Sequence, residues 1–544
     1  MFSYIKTKLP SILMLILAIS LTACSTSVDK KAGDIDTQKQ SETTPKMITM
    51  AWNADVGTLN PHLYGPSQVF AQAMVYEPLV DYVEGGKIVP RLAEKWEVSD
   101  DGLMYTFHLR KDVKYSDGSV FNAGNAKKNI DAIMANKQRH SWMGIVTVLD
   151  RTEKIDDYTI RLILTKPYYP LLQELAFARP FRFLADAGFP SDGKTSEAIV
   201  KPIGTGPWVL SEYKKDGYAV FSRNENYWEI KPKLASVKVL IIPDSETIVT
   251  AFEKHEIDLI VGAGIISMDN FKYLKDSGKY NTGASEPLTT RSVILNSAKA
   301  PTLEMNVRLA IQHGIDKAKM IQSVTLGLEK KADTIMASNF PYSNIDLKPY
   351  AYDPKKSEQL LDEAGWKLPS GKSVREKDGK PLLLDLVYVS TDAIQKPMAE
   401  IIQAELAKIG VQVQVKGEEL MVGNGRLKSG DYHLNFWSTY GVPNDPHNFV
   451  TTSTQAKTGI HEALLGLSTK PQIDAQSKEV LASTDEKKRV ELYRSILTQI
   501  HEGAVFYPTA YESMITVYHK NLTGLKFNAT KYDFPFGTLD ITTK

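Results

Sequence analysis

Short segments in which apolar and polar residues alternate predict β-strands along the chain. The segments YTFHLR (105–110) and TIRLILT (159–165) alternate in this way, as a strand with one buried face does. MITMAW (47–52) also predicts a strand. The segment KVLIIP (238–243) is almost continuously apolar, which predicts a strand that is buried on both faces.

Longer segments with apolar residues three and four positions apart predict amphipathic helices. Two of these segments are followed by Gly365 and Gly410, and glycine suits the left-handed conformation that commonly ends a helix. The alternation of strands and helices predicts an α/β protein, and no internal repeat indicates a solenoid or a propeller. The predicted helices span 303–313, 355–364, 397–409 and 487–501.

The N-terminal segment has the composition of an export signal. Lys6 and Lys8 precede an apolar segment, SILMLILAIS (11–20), which is shorter than the roughly 20 residues that a membrane-spanning helix needs. The segment ends in LTAC, and Cys24 is the single cysteine of the chain. We therefore expect residues 1–23 to be a removable lipoprotein signal peptide and the sulfur of Cys24 to carry the lipid.

The composition of the remaining chain narrows its function. Residues 24–46 are rich in Ser, Thr, Lys and Asp and poor in apolar side chains, which predicts a flexible linker. With one cysteine, the protein has neither a disulfide nor a thiolate metal site. The 65 Lys and Arg residues nearly balance the 64 Asp and Glu residues, so no excess of positive charge favours nucleic acid as a partner.

Motifs of the common hydrolases and nucleotide-binding enzymes are missing from the sequence. It contains no GxSxG elbow, no HExxH zinc helix and no phosphate-binding GxxxxGK[ST] loop. Its ten histidines form no His-x-His and no His-x-x-x-His pair. We therefore expect a binding protein and not an enzyme, without a metal site built entirely from protein side chains.

Five longer motifs follow one another along the chain. They are LAEKWEVSDDGLMYTFHLRKDVKYSDG (92–118), KPIGTGPW (201–208), RNENYW (223–228), VRLAIQHGID (307–316) and YDPKKSEQLLDEAGW (352–366). In this order and spacing they resemble the peptide, dipeptide and nickel-binding receptors of ABC importers, the family 5 solute-binding proteins. The resemblance extends from about residue 47 to the C-terminus.

A second set of segments is most similar to the nickel-binding receptors within that family. The resemblance implies an α/β, two-lobed Venus-flytrap fold of class II, cluster C, with an extra subdomain on the first lobe. It also implies a ligand enclosed between lobes that close about a hinge. The segments are LNPHLYGP (59–66), MVYEPLV (74–80), KQRHSW (137–142), YYPLLQELAFARPFRF (168–183), LNSAKAP (295–301) and NDPH (444–447).

The same resemblance places the domain boundaries. The first lobe is expected over residues 47–288, with the extra subdomain at about 75–225. The second lobe is expected over 289–512, and residues 513–544 are expected to return to the first lobe.

Two arginines match the positions at which the nickel-binding receptors hold the carboxylates of a small organic chelator. They are Arg139 and Arg179. The planar guanidinium pairs with a carboxylate through two parallel hydrogen bonds and keeps its charge when buried, which suits this role. Arg182, which is close in sequence, is expected to pack or to pair structurally.

The resemblance also implies the walls of the ligand pocket. Tyr64 and Trp142 match aromatic wall positions, and Tyr440 lies where the nickel-binding receptors carry a tryptophan. Two positions depart from the pattern, since Val69 replaces a methionine and Asn444 replaces a tyrosine.

The metal ligand is the least defined part of the predicted site. In the nickel-binding receptors the single protein-derived ligand is a histidine on a mobile loop, and that position corresponds to Thr458 by simple count. His461 lies three residues later, in the segment TQAKTGIH (454–461). Either His461 shifts into place and binds the metal, or the chelator supplies every donor, for example as two histidine molecules.

Together these features predict an extracytoplasmic lipoprotein of an ABC importer, on the periplasmic side of a membrane or on a Gram-positive cell surface. It is expected to be a monomer that captures Ni(II) as a chelate, with L-histidine or a metallophore, and delivers it to a permease and an ATPase. The metal is then cargo, and no cofactor is expected. The alternatives are a receptor for di- or oligopeptides or for an opine-type metallophore and, more remotely, a secreted metal-dependent hydrolase or a chaperone.

Overall fold

A computed structural model of the protein describes residues 46–542, except 64, 66, 67, 263, 440–445 and 535. The predicted signal peptide, Cys24 and almost all of the predicted linker lie outside the described residues.

The described strands cluster into sheets of different sizes. In chain order they are β1 (Met47–Trp52), β2 (Val80–Val83), β3 (Lys87–Pro90), β4 (Ala93–Val98), β5 (Met104–Leu109), β6 (Leu149–Asp156), β7 (Thr159–Leu164), β8 (Trp208–Lys214), β9 (Tyr218–Arg223), β10 (Ser236–Ile241), β11 (Leu259–Gly262), β12 (Asn281–Ala284), β13 (Thr289–Leu295), β14 (Lys330–Lys331), β15 (Glu376–Lys377), β16 (Lys380–Pro381), β17 (Leu383–Val389), β18 (Gln412–Glu418), β19 (Leu434–Ser438), β20 (Phe506–Glu512), β21 (Ile515–Tyr518), β22 (Leu522–Thr523) and β23 (Asp540–Ile541).

Helices alternate with these strands throughout the described chain. They are α1 (Val69–Val75), α2 (Ala123–Ala135), α3 (Gly144–Val148), α4 (Leu171–Ala176), α5 (Ser245–Glu253), α6 (Met268–Asp276), α7 (Met305–Gly314), α8 (Lys317–Thr325), α9 (Pro354–Glu363), α10 (Gln395–Lys408), α11 (Leu420–Ser429), α12 (Pro446–Thr454), α13 (Ile460–Leu464), α14 (Lys470–Ala482) and α15 (Glu486–Glu502).

Within the described residues, three sheets carry most of the strands. A seven-stranded sheet has the order β12-β21-β11-β1-β10-β9-β8, and a six-stranded sheet has the order β14-β20-β13-β19-β17-β18. A four-stranded antiparallel sheet has the order β4-β5-β7-β6. Both larger sheets mix parallel and antiparallel pairs, as β1 runs parallel to β10 and β17 runs parallel to β18.

Each of the two larger sheets has a hydrophobic core on both faces. In β1, Met50 packs into one core and its neighbour Ala51 packs into another. In β13, Val293 packs into a third core and its neighbour Ile294 packs into a fourth. Successive side chains of a strand point to opposite faces, so such strands need apolar residues at consecutive positions.

The chain passes between the seven-stranded and six-stranded sheets twice, from β12 to β13 and from β20 to β21. The two connections are joined to each other, because the amide of Ser285 donates to the carbonyl of Met514 at 2.9 Å and the Met514 amide donates to Ser285 Oγ at 2.9 Å. Beside them the Arg291 guanidinium pairs with Glu329 at 2.6 Å and with Glu512 at 2.6 Å. The described linkage between the two sheets is therefore narrow and strongly hydrogen-bonded.

A second region of contact joins the segment before α4 to the helices that cover the six-stranded sheet. The Tyr169 amide donates to the Leu481 carbonyl at 3.0 Å, and the hydroxyls of Tyr169 and Tyr493 are 2.5 Å apart. Nearby, His447 Nε2 lies 3.9 Å from Glu174 Oε1. We call these residues the Tyr169–Tyr493 contact.

Most elements that the residue pattern predicts are confirmed, with bounds that differ by at most a few residues. The glycines after α9 and α10 have positive φ angles, +84° at Gly365 and +82° at Gly410, as predicted. The prediction for KVLIIP is wrong in one respect. The strand β10 is not buried on both faces, because its burial alternates and residues such as Leu240 stay partly exposed.

The glycines of the GTGPW motif allow two backbones to approach closely. The Gly206 amide donates to the Val75 carbonyl at 2.9 Å, at the end of α1. A Cβ atom on Gly204 would lie 2.0 Å from the Val75 carbonyl oxygen, and one on Gly206 would lie 2.6 Å from the Met74 oxygen. Only glycine fits here, so the motif has a packing role.

Candidate ligand site

Arg179 lies on an aromatic surface. Its guanidinium carbon is 5.6 Å from the centre of the Trp142 ring and 5.8 Å from the centre of the Phe177 ring. The two rings meet edge to face, with centres 6.1 Å apart. A guanidinium over aromatic faces is stabilised by the partial negative charge of the ring faces, which holds it in place.

The aromatic surface extends to the C-terminal part of the chain. Phe177 also packs edge to face against Tyr532, with ring centres 5.3 Å apart. Sequence reasoning did not select Phe177 or Tyr532. Phe177 stands two residues before Arg179 in a motif that was already singled out, whereas Tyr532 is 353 residues beyond Arg179 and has no local signal.

Arg139 belongs to the same cluster of charges. It lies in the turns that follow α2, where the Arg139 amide donates to the Asn136 carbonyl at 3.1 Å and the His140 amide donates to Lys137 at 3.1 Å. Burial, together with the charges of Arg139 and Arg179, lowers the pKa of His140 to about 4. His140 is therefore neutral at neutral pH, between two cationic side chains.

A second buried histidine fixes the loop beside this cluster. His62 Nδ1 is 2.8 Å from Thr195 Oγ1, and its Nε2 is 3.2 Å from the Arg182 carbonyl oxygen. Burial lowers the pKa of His62 to about 4, and the nearby His140 adds to this effect. The neutral His62 ring thus links the backbone at Arg182, three residues after Arg179, to Thr195.

Of the remaining predicted wall residues, only Val69 is among the described residues. Val69 is buried at the start of α1. Tyr64, Tyr440 and Asn444 lie outside the described residues, so their predicted roles stay predictions.

His461 is not on a loop, contrary to the expectation. It lies in the short helix α13, which begins after Gly459 (φ +87°). Its Nδ1 is 3.1 Å from the Ser453 carbonyl oxygen and 3.3 Å from Lys470 Nζ. The Ser453 carbonyl is the nearer of the two and can only accept, so we place the Nδ1 proton toward it, which leaves the lone pair on Nε2.

No group of three or more His, Cys, Asp or Glu side chains among the described residues is placed to share a metal ion. The contact of His447 with Glu174 does not resemble a metal site. Glu174 Oε1 accepts from the Gly144 amide at 3.0 Å and from the Tyr168 hydroxyl at 2.7 Å, and Oε2 accepts from the Ile145 amide at 2.7 Å. Burial raises the pKa of Glu174, while His447 and these donors oppose the increase.

Comparison with known proteins identifies the family. Residues 87–459 match the bacterial extracellular solute-binding proteins, family 5 Middle. The chain belongs to this family. The match confirms the family that the motifs indicate, and its members are solute-binding proteins rather than enzymes.

Two relatives are especially similar over nearly the whole chain. The nickel-binding periplasmic protein of Escherichia coli (strain K12) is 43% identical over 493 residues, which cover 90% of this chain and 94% of that protein. The crystal structure of NikA from Brucella suis in complex with Fe(III)-EDTA has a TM-score of 0.89 and 47% identity, and it covers 91% of this chain and 100% of that one. These matches confirm the two-lobed α/β fold.

Peptide-binding members of the family are less similar. The dipeptide-binding protein of E. coli (strain K12) is 28% identical over 492 residues, which cover 86% of this chain and 89% of that protein. DppA from Helicobacter pylori in complex with the peptide STSA has a TM-score of 0.75 and 26% identity, and it covers 91% of this chain and 98% of that one.

None of the helices within the described part of the chain is both long and apolar enough to cross a bilayer.

Proposed function

We propose that this protein captures Ni(II) as a small organic chelate and delivers it to the permease and ATPase of an ABC importer. The observation that carries this proposal is the position of the Arg179 guanidinium on the Trp142 and Phe177 rings. The relatives support it, because one is a nickel-binding protein and another was solved with a metal held by the chelator EDTA.

Arg179 is suited to a carboxylate because its charge is partly removed from water. The side chain is half-buried, and the ring faces exclude solvent on one side. A charge-assisted, bidentate hydrogen bond is roughly twice as strong as a neutral one, and lower local polarity strengthens it further. Arg139 brings a second positive charge to the same region, so a chelator with two carboxylates fits better than a bare cation, which both arginines repel.

We propose that the chelator supplies most or all of the metal's donor atoms. The absence of a three-ligand group among the described residues supports this view. His461 is the one protein side chain that we propose as a direct donor. Its Nδ1–H is held by the Ser453 carbonyl, and metal-binding histidines commonly donate their second ring nitrogen in this way.

We further propose that lipidated Cys24 and the linker up to residue 46 hold a monomeric receptor at the outer face of the membrane. The first lobe would comprise residues 47–288 and the second lobe 289–512, with 513–544 returning to the first. The two connections between the large sheets, at 285–288 and 513–514, would then form the hinge.

Isothermal titration tests the nature of the ligand. The purified protein is titrated with Ni(II) alone, with Ni(II) plus L-histidine, and with di- and oligopeptides. We expect saturable binding of Ni(II) only when the chelator is present. Tight binding of bare Ni(II) would contradict the chelate model, and tight peptide binding without nickel would replace the nickel proposal by the peptide-receptor alternative.

Variants test the named residues. Arg179→Ala should weaken binding of the nickel–histidine chelate by about 30-fold or more, because removing one partner of a buried charge pair costs about 2 kcal/mol or more. Arg161→Ala is the matched control, since this arginine of β7 contacts Thr106 on the four-stranded sheet. His461→Ala distinguishes metal coordination by His461 from a chelator that supplies every donor. It weakens binding only when the imidazole coordinates the metal. Unchanged affinity in Arg179→Ala would remove the main site residue.

A further inference from the structure

A separate cavity of about 610 Å³ lies between the end of α1, the β2–β3 ribbon, the segment after α4 and residues 527–538. Arg139, Trp142 and Arg179 are not among the residues that line it. Phe177 separates the two places, because it lines the cavity and also packs against Trp142. A volume of this size holds a small organic molecule.

Arg182 lines this cavity and is buried with few hydrogen-bond partners. Its exposed fraction is 6%, yet it forms no ion pair with any described carboxylate. Its Nη2 donates to the Ala176 carbonyl at 3.3 Å, and its Nε has no hydrogen-bond partner among the described residues. A buried, incompletely satisfied guanidinium is costly. Arg182 is therefore packed without an ion pair in the described chain, and its expected role, to pack or to pair structurally, stays a prediction.

The other arginine of the cavity is satisfied by its neighbours. Arg91 pairs with Glu77 at 2.5 Å and with Glu229 at 2.7 Å. Glu77 also accepts from the indole of Trp228 at 2.9 Å. Arg91 is therefore satisfied without a ligand, and its two glutamates leave this group with one excess negative charge.

Three further carboxylates line the cavity without an ion pair to an arginine or lysine in the described chain, namely the exposed Glu84 and the less exposed Asp81 and Asp533. Asp81, on β2, accepts at Oδ1 from the Tyr82 amide at 2.9 Å. Asp533 has Asn528 as its side-chain hydrogen-bond partner. Burial and the charge of Asp81 raise the pKa of Asp533 to about 7, against the opposing effect of Arg182 and Arg91.

Apolar groups form the rest of the wall. They surround the charged groups and would enclose the carbon atoms of a ligand. They include Met74, Tyr76, Phe177, Trp208 and Phe534.

Apart from the exposed Glu84 and the Arg91 group, the cavity therefore presents one cationic side chain, Arg182, and two carboxylates, Asp81 and Asp533, beside apolar walls. We propose that it is a second ligand site, which binds a small zwitterion of the amino-acid class. Arg182 donates to the ligand's carboxylate, and Asp81 and Asp533 accept hydrogen bonds from its ammonium group. The proposal does not depend on the nickel assignment, because it uses different residues.

Titration calorimetry of the full-length protein tests the site. The probes are the free amino acids and the dipeptide Ala-Ala, which distinguishes a single amino acid from a peptide. Propionate and ethylamine serve as analogues of alanine that lack the ammonium or the carboxylate. We expect one molecule of at least one amino acid to bind per chain, and both analogues to bind at least about tenfold more weakly. Failure of every amino acid to bind, or equal binding of the analogues, would overturn the proposal.

Variants connect the binding to the named groups. Arg182→Met and Asp533→Asn should each weaken amino-acid binding by at least about tenfold, and Arg179→Ala should leave it unchanged. Asp81→Asn provides a milder variant on the partly exposed β2 in case Arg182→Met does not fold. Normal binding in Asp81→Asn and Asp533→Asn would refute the role of the carboxylates. Loss of binding in Arg179→Ala, or competition with a nickel chelate, would assign the amino acid to the first site.

Proton release gives an independent measurement. Asp81, Arg182 and Arg91 are the charged groups that face Asp533. An ammonium bound beside Asp533 favours its ionised form, so binding near pH 7 should release a fraction of a proton, measured from heats in buffers of different ionisation enthalpy. The release should disappear above about pH 8 and in Asp533→Asn. Proton uptake on binding would contradict this placement of the ammonium.

Discussion

The Tyr169–Tyr493 contact allows a quantitative test of the proposed lobe closure. The hydroxyls of Tyr169 and Tyr493 are 2.5 Å apart, and Tyr169 also packs edge to face against Tyr342 at 6.4 Å. The guanidinium of Arg489 lies 4.6 Å from the Tyr169 ring centre. Tyr169→Phe removes the hydroxyl and keeps the ring, so it weakens the contact without removing its packing.

The expected magnitude follows from the value of a single hydrogen bond. An intramolecular hydrogen bond contributes about 1 kcal/mol net, which corresponds to about fivefold in an equilibrium constant. If the contact forms only in the closed state, Tyr169→Phe shifts the closed–open equilibrium by about this factor. When the open state predominates without ligand, the apparent Kd for the proposed nickel–histidine chelate should then rise by up to about fivefold.

The assay measures two quantities for each protein: the ligand affinity, and the radius of gyration from small-angle X-ray scattering. Tyr213→Phe is the matched control, because the Tyr213 hydroxyl donates to Asp55 at 2.6 Å within the seven-stranded-sheet region and away from the contact. We expect Tyr169→Phe to raise the Kd and to require more chelate for compaction, whereas Tyr213→Phe should change neither. Equal affinity and compaction in Tyr169→Phe and the wild type would refute the reasoning.

Three further predictions concern stability, each measured by urea unfolding. The pKa of His62 falls from its usual 6.5 to about 4 on folding, so the unfolded chain binds the extra proton and stability is lost as the pH falls from 6.5 to 4. This loss is worth about 3 kcal/mol at His62, and it should be absent from His62→Gln. A parallel pH dependence in both proteins would contradict it. Arg291→Met leaves two buried carboxylates uncompensated and should cost about 3 to 5 kcal/mol, with partial recovery when Glu329→Gln is added. A loss below about 1 kcal/mol would show that the carboxylates relax or take up protons. Gly204→Ala places a Cβ 2.0 Å from a carbonyl oxygen and should cost more than about 1 kcal/mol, whereas Gly425→Ala in α11 meets no atom within 4 Å and should be neutral or stabilising. Equal stability of the two alanine variants would argue against the close approach.

Local structure could be predicted from the sequence to a large extent. Alternation in the segment 159–165 and helical spacing in 487–501 depend on residues that are neighbours in the chain, so the burial of one face is visible in the order of residues. The positive φ angles of Gly365 and Gly410 follow from the same local rules. Val490 shows the limit of this reasoning, because it lies on the predicted apolar face of α15 and is nevertheless 42% exposed.

Family membership could also be predicted, because the sequence contains five motifs in the order and spacing that resemble the family. Arg139, Trp142 and Arg179 were named for the same reason, and the structure brings their side chains to one region through Trp142 and the buried His140. The metal role of His461 could not be decided in this way. It depends on the helix that carries the residue and on its neighbours Ser453 and Lys470.

The sequence by itself determined the α/β elements, the family and two of the arginines that we place in the ligand site. The tertiary structure alone decided that Tyr532 completes the aromatic surface, that the GTGPW glycines serve backbone packing, and that Arg182 faces a cavity with Asp81 and Asp533. The physical reason is that side-chain periodicity reports which face of an element is buried, whereas the charge and pairing of a buried group depend on residues hundreds of positions away. Those residues meet only after the sheets have packed and the C-terminal segment has returned to β1.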